Sequence, residues 1–389
     1  MSNPPDHRGS GPNPLPLHLG QAAFLVQQAI MSAATDPTAP ALEDVAVAAA
    51  AQLQLMLDGI AAWRGHPYTR KSSAATVLWS DGSTRLLDFG AQGDPIILIL
   101  PSLINRADIL DLMPGNSFIR ALAQAGFRPL LIDWGVPAQQ EQHFGLHDYA
   151  NLRLRPALAI ARVLAGGPVP LLGYCMGGAF AAAAAAHMTN DVSHLVTLGT
   201  PWDCTAGTWM TQTGQGSLAP HEHGLRAALH TTAQTLGYIP HDVLQTAFAS
   251  LDPGLALRKF AAFAALPQDS CAARTFVAVE DWLNTPVHLP LKVAETLLID
   301  WHLRNDLANK AWSPFGPALD PTKITCPTLS ICATRDRISP PSNAEALPRA
   351  IHAAEILRPD TGHVGMIVGR NRHRDVIAPI ARFLHARAT

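Results

Sequence analysis

Six short, mostly apolar runs, at residues 96–100, 128–132, 169–172, 194–198, 328–332 and 354–357, alternate with stretches of helical periodicity. Continuous apolar runs bounded by Gly and Pro are what parallel strands need when helices cover both faces, because side chains pointing either way must be buried. Helical stretches at 117–125, 149–165, 177–188 and 376–386, and one running through Glu345, fill the intervals. The order predicts an α/β fold with a mostly parallel central sheet and helices on both faces. Ahead of it, 76–79 and 84–87 flank Ser80-Asp81-Gly82-Ser83, whose Asp-Gly pair predicts a hairpin turn.

The series is broken once, by about 120 residues between 200 and 320, too long for a plain connection. This piece holds five of the eight tryptophans (202, 209, 282, 301 and 312) and many Pro and Gly breaks, which predicts an inserted, mostly helical cap. Each of these tryptophans serves either the cap's own core or a site, and the sequence leaves that open. Upstream, Leu42, Val45, Ala49, Leu53, Met56, Ile60 and Trp63 recur at steps of three and four after Glu43 and Asp44, the pattern of an amphipathic helix. Residues 1–20, rich in Pro, Asn, Ser and Gly, read as a loose leader. The expected division is 1–70 for leader and helix, 71–200 with 321–389 for the core, and 201–320 for the cap.

At 389 residues, 48% hydrophobic and 15% charged, the chain can bury a large core. A net charge of -2 gives no basic field for nucleic acid. Five scattered cysteines without a C-x-x-C pair make neither a disulfide framework nor a zinc site, so no metal is expected. Gly, His and Asn interrupt every apolar stretch before it reaches ~20 residues, and the start lacks basic and apolar signal regions. The expectation is a cytoplasmic protein without a transmembrane segment.

The run at 169–172 leads into Gly173-Tyr174-Cys175-Met176-Gly177-Gly178 and then an Ala-rich helix. A strand, a G-x-C-x-G turn and a helix form the nucleophile elbow of the α/β-hydrolase fold, with Cys in the place of Ser. Gly at both flanks is a steric demand, since a Cβ there would meet the strand-to-helix packing. With Gly at ~7% of residues, five cysteines would give this spacing by chance about 2–3% of the time, and the strand and helix around it lower that further. Cys175 then sits at a helix N-terminus, where free N–H groups favour a thiolate and can hold a developing oxyanion.

A thiol that passes protons needs a His oriented by a carboxylate, in the chain order nucleophile, acid, His. Asp336 follows the run at 328–332, and His363, between Gly362 and Gly365, follows the run at 354–357. Asp360 is the rival for the acid. The oxyanion donors expected are the N–H of Met176 and, from the loop after 96–100, that of Leu103.

These motifs together resemble the polyhydroxyalkanoate synthases. The segments concerned are Leu100-Pro-Ser-Leu-Ile-Asn-Arg-Ala-Asp-Ile-Leu-Asp-Leu112, Leu131-Ile-Asp-Trp-Gly135, the Gly-Tyr-Cys-Met-Gly-Gly box, Thr200-Pro-Trp-Asp203, Leu303-Arg-Asn-Asp306, Asp336-Arg-Ile-Ser-Pro340 and Gly362-His363. The resemblance spans about residues 71 to 385 and departs at Arg337, where such synthases commonly carry His. It implies a Cys175–His363–Asp336 triad in an acyltransferase acting on (R)-3-hydroxyacyl-CoA and a growing polyester chain. No cofactor is implied, because coenzyme A enters as the substrate's thioester. The short N-terminal portion is similar to forms that work with a partner subunit, and a homodimer or the surface of a polyhydroxyalkanoate granule are further implied contacts. Two alternatives stand beside this reading: a Cys-dependent esterase, thioesterase or depolymerase on the same fold, and a catalytically silent granule-associated interaction protein.

Overall fold

The computed structural model describes residues 8–9, 11–71, 75–205 and 218–386. Eight strands form one sheet: β1 (Thr76–Asp81), β2 (Thr84–Asp88), β3 (Ile96–Leu100), β4 (Arg128–Asp133), β5 (Val169–Tyr174), β6 (Val192–Leu198), β7 (Thr328–Ile331) and β8 (Glu355–Leu357). Their order is β1-β2-β4-β3-β5-β6-β7-β8. Only the β1–β2 hairpin and its junction with β4 are antiparallel, and all other neighbours are parallel. Every residue of β3 and β4 is buried, as strands covered on both faces require.

The register decides where chemistry can occur. Tyr174 pairs with Leu198, Leu198 with Ile331 and Ile331 with Leu357, so the C-terminal ends of four adjacent strands lie in one row. Whatever follows β5, β6, β7 and β8 emerges at the same edge, the usual place for ligands in such sheets. A buried hydrogen bond of 2.7 Å between the Thr197 and Ser330 hydroxyls joins β6 to β7 just below that edge.

Two expected helices are less regular than their periodicity suggests. The stretch from Tyr149 opens as a π-helix (Tyr149–Leu154) before the α-helix Arg155–Ala165, and the stretch after β7 breaks into Pro341–Ala344 and Ala346–Ala350. Pro156 and Pro348 each lack the N–H that a continuous helix needs, which accounts for the irregular ladders around them.

Contacts divide the chain into two units: Met1–Lys71 with His241–Pro286, and Ser72–Pro240 with Val287–Thr389. The stretch 201–320, read from sequence as a single cap, is thus shared: its middle groups with the N-terminal segment and its two ends with the sheet. In the helical unit, Met56, Ile60 and Trp63 of the helix Leu42–Gly65 pack with Phe260, Phe263 and Val277. Gly59 lets the two backbones meet, since a Cβ there would run into the Phe260 carbonyl.

The described part of the leader is less loose than its composition implies. Leu15–Thr35 is a 21-residue α-helix with Pro in its first turn, a position where the missing N–H costs nothing. Arg8 is bound too, donating to both Asp281 carboxylate oxygens at 2.8 and 2.7 Å and to the His66 and Tyr68 carbonyls at 2.6 Å each. Among the described residues one helix, Leu42–Gly65, is long and apolar enough to cross a membrane by length and composition, although Glu43, Asp44, Asp58 and Arg64 lie within it. Trp202, Trp282, Trp301 and Trp312 are all buried, whereas Trp209 lies outside the described residues.

Candidate active site

The turn after β5 carries the strain its glycines anticipate. Cys175 has φ 55° and ψ -128°, a region costly for any residue with a side chain, and the helix Met176–His187 starts at the next residue. Its own N–H donates to the Leu198 carbonyl at 2.8 Å, which ties the turn to the end of β6. A Cβ on Gly173 would fall on Gly178 and 2.6 Å from the Gly177 carbonyl oxygen. One on Gly177 would fall on the carbonyls of Leu100 and Pro101, and one on Gly178 on the Thr200 side chain. The elbow is therefore wedged between the ends of β3 and β6.

His363 and Asp336 arrive from the loops after β8 and β7. The His363 Nδ1 is 2.6 Å from Asp336 Oδ2, with both side chains buried. A carboxylate only accepts, so Nδ1 carries the hydrogen and Nε2 is left for other work. The other Asp336 oxygen, Oδ1, accepts from the N–H groups of Ile338 at 2.8 Å and Ser339 at 2.9 Å, which fixes the carboxylate. Burial pushes the His363 imidazole down. The charges of Asp336 and Cys175, with hydrogen bonds to both side chains, outweigh burial and raise it from 6.5 to about 10.

The rival acid stands elsewhere. Asp360 is 81% exposed and forms a surface ion pair with Arg335 at 2.9 Å. Arg337 is exposed on the same loop as Asp336. Three of the other thiols are poor nucleophiles: burial raises Cys204 and Cys332 to about 12 and Cys326 to about 11.

Among the described residues no acceptor meets the N–H of Met176 or of Leu103, whereas the N–H of Ile104 is taken by the Ser102 hydroxyl at 3.2 Å. Leu103 is buried two residues beyond Pro101, whose carbonyl lies against Gly177. Among the described residues no group of three or more His, Cys, Asp and Glu could hold a metal ion.

Sequence reasoning missed several supporting residues. Gly199, at the tip of β6 with φ 54°, makes room for the imidazole: a Cβ there would lie 2.9 Å from His363 Cε1 and Nδ1. Tyr174 places its ring centroid 5.1 Å from that of His363. The turn after β6 is gripped by two amides, Asn343 accepting from the Trp202 N–H and Asn305 from the Cys204 N–H, each at 2.8 Å. A glycine closing a strand could have pointed to Gly199; nothing local marks Asn305 or Asn343.

Residues 95–370 match the model of the α/β hydrolase fold family. The chain is 27% identical over 310 residues to the poly(3-hydroxyalkanoate) polymerase subunit PhaC of Haloferax mediterranei, a match covering 77% of this chain and 61% of that one. It is 29% identical over 302 residues to the subunit of the same name from Allochromatium vinosum, covering 76% of this chain and 82% of that one. Among solved structures, a soluble variant of monoglyceride lipase from Saccharomyces cerevisiae superposes with a TM-score of 0.53 at 13% identity, covering 83% of this chain and 98% of that one, a likeness of fold alone.

Proposed function

The chain belongs to the α/β-hydrolase fold family, and from that premise we propose that it is an acyltransferase that polymerises (R)-3-hydroxyacyl-CoA into a polyhydroxyalkanoate through an acyl-Cys175 thioester. The observation that carries this reading is a cysteine, rather than the serine usual at this elbow, backed by a buried His363–Asp336 pair. Relatives at 26–29% identity that are poly(3-hydroxyalkanoate) polymerase subunits point the same way.

Sulfur suits a polymerase. Attack of the Cys175 sulfur on the substrate thioester breaks one C–S bond and forms another, so the acyl group stays activated. The tetrahedral oxyanion is held by the N–H groups of Met176 and Leu103. His363 takes the thiol proton and returns it to the departing coenzyme A sulfur. In the second step His363 accepts the proton of a 3-hydroxyl group from another acyl unit or chain end. That oxygen attacks the acyl-cysteine, the ester bond forms, and the proton passes back to the released Cys175 sulfur. Asp336 holds the imidazole in the tautomer both steps need and balances its cation.

Coenzyme A is substrate and product here, and no cofactor is required. A granule surface in the cytoplasm and a partner subunit or second copy complete the proposal. Intact-mass measurement after mixing with 3-hydroxybutyryl-CoA tests it. The expected result is a 3-hydroxybutyryl adduct on Cys175 that decays into polyester. Free 3-hydroxybutyrate as the sole product would replace this reading with a hydrolase, and no adduct on Cys175 would remove the covalent route.

A further inference from the structure

Tyr174 is the residue just before the nucleophile, and both its ring and its hydroxyl approach the histidine. Its ring plane is tilted 33° from the imidazole plane at a centroid separation of 5.1 Å, nearer parallel than edge-on. Its hydroxyl donates to the His363 carbonyl at 3.5 Å, the outer limit of a hydrogen bond. Tyr174 is buried, and burial first, then the charges of Cys175 and Asp336, keep its phenol protonated well above the ordinary range. The phenol is thus a neutral ring, unable to exchange protons with the site at working pH.

The chemistry explains why a neutral ring belongs there. His363 must become a cation each time it accepts a proton, and it does so while buried. Asp336 compensates that charge from the Nδ1 edge and Cys175 meets the ring from the nucleophile side. A third charged partner would compete for Nε2 or alter the proton count. An aromatic face attracts a cation within ~6 Å of its centroid without taking a hydrogen bond. Asp336, Cys175 and Tyr174 are the titratable groups facing the imidazole; Gly199, which also approaches it, brings no charge.

We propose that Tyr174 is a positioning residue whose ring face supports the imidazolium form of His363 and whose hydroxyl steadies the His363 backbone. This role does not depend on which acyl group Cys175 carries, because it is a property of the free enzyme.

The test follows the His363 Nδ1–H proton resonance against pH in the full chain, assigned by its loss in His363→Gln. Removing the ring in Tyr174→Leu should lower the imidazolium midpoint by ~0.5–1 unit, while Tyr174→Phe, which keeps the face, stays within ~0.3 unit of the parent. Should Tyr174→Leu not fold, a ring-fluorinated phenylalanine at the same position decides, because it keeps the shape and weakens the negative face: a lowered midpoint supports the proposal. A parental midpoint in a folded Tyr174→Leu protein, or in the fluorinated one, would overturn it. So would a Tyr174→Phe midpoint as low as that of Tyr174→Leu, which would assign the effect to the hydroxyl instead.

Discussion

The two units use apolar sequence in opposite ways. In the sheet unit every residue of β3 and β4 is buried, and Cys175, Asp336 and His363 hang from turns and loops at the ends of neighbouring strands. In the helical unit the helix Leu15–Thr35 contains no charged residue at all, yet Phe24 and Met31 remain 58% and 61% exposed, and Val47 of the next helix 65%. Apolar composition therefore does not by itself indicate burial. Packing from both sides lets the sheet unit hold a strained Cys175 and a buried imidazole, whereas the helical unit rests on one compact cluster around Trp63 and Phe260.

The sharpest way to break this comparison is to attack the loop ends. Asp336→Asn should lower the rate of Cys175 acylation by ~10³–10⁴-fold, because the imidazole loses both its tautomer control and its counter-charge. Asp360→Asn, three residues from His363 in sequence but paired with Arg335 on the surface, should change it by less than ~2-fold. Equal losses in the two variants would mean that the wrong carboxylate has been paired with the histidine. Single-turnover mass spectrometry with 3-hydroxybutyryl-CoA reads both.

Trp63→Ala attacks the other unit. Truncating a fully buried indole that also donates to Asp281 at 3.0 Å should cost about 3–5 kcal/mol in urea unfolding. Acylation of Cys175, measured well below the transition, should stay within ~2-fold. A loss of acylation comparable to that of Asp336→Asn would mean that the helical unit contributes to the chemistry.

The raised His363 also predicts how stability follows pH. Its titration midpoint lies at about 10 in the folded chain and near 6.5 when unfolded, so the folded state binds the proton more tightly. That contribution is fully present below about 6.5 and is lost as pH rises through about 10. Urea midpoints of the parent should fall across this window relative to those of His363→Gln. Parallel curves for the two proteins would show that the imidazole gains nothing on folding.

How much of this could be read beforehand depended on the range of the contacts involved. The elbow is local: Gly173, Gly177 and Gly178 act within one turn, and the backbone at Cys175 is where their spacing put it. Asp336 and His363 were reachable through the order of strands, because parallel pairing sends every C-terminal end to one edge. Gly199 was marked only as a glycine closing a strand, and Tyr174 was not marked at all, since its role arises only when β5 brings it against a ring from β8's loop. The division of the cap was beyond reach for the same reason. Trp63 and Asp281 are 218 residues apart, and nothing in either segment names the other. The leader misled through its prolines, which read as breakers although one of them opens a helix.

The smallest expected effect concerns the exposed face of the helical unit. With 58% of Phe24 already in contact with solvent, Phe24→Ser gives up little burial and little packing, so its urea unfolding free energy should stay within about 0.5 kcal/mol of the parent. Val47→Ser, at 65% exposure, should behave alike, although Ser in a helix interior adds a few tenths of a kcal/mol of its own. The double substitution should therefore be additive. Losses above about 1.5 kcal/mol for Phe24→Ser alone would mean that the side chain is packed in solution. The contrast drawn between the two units would then reflect a missing neighbour rather than a different use of apolar sequence.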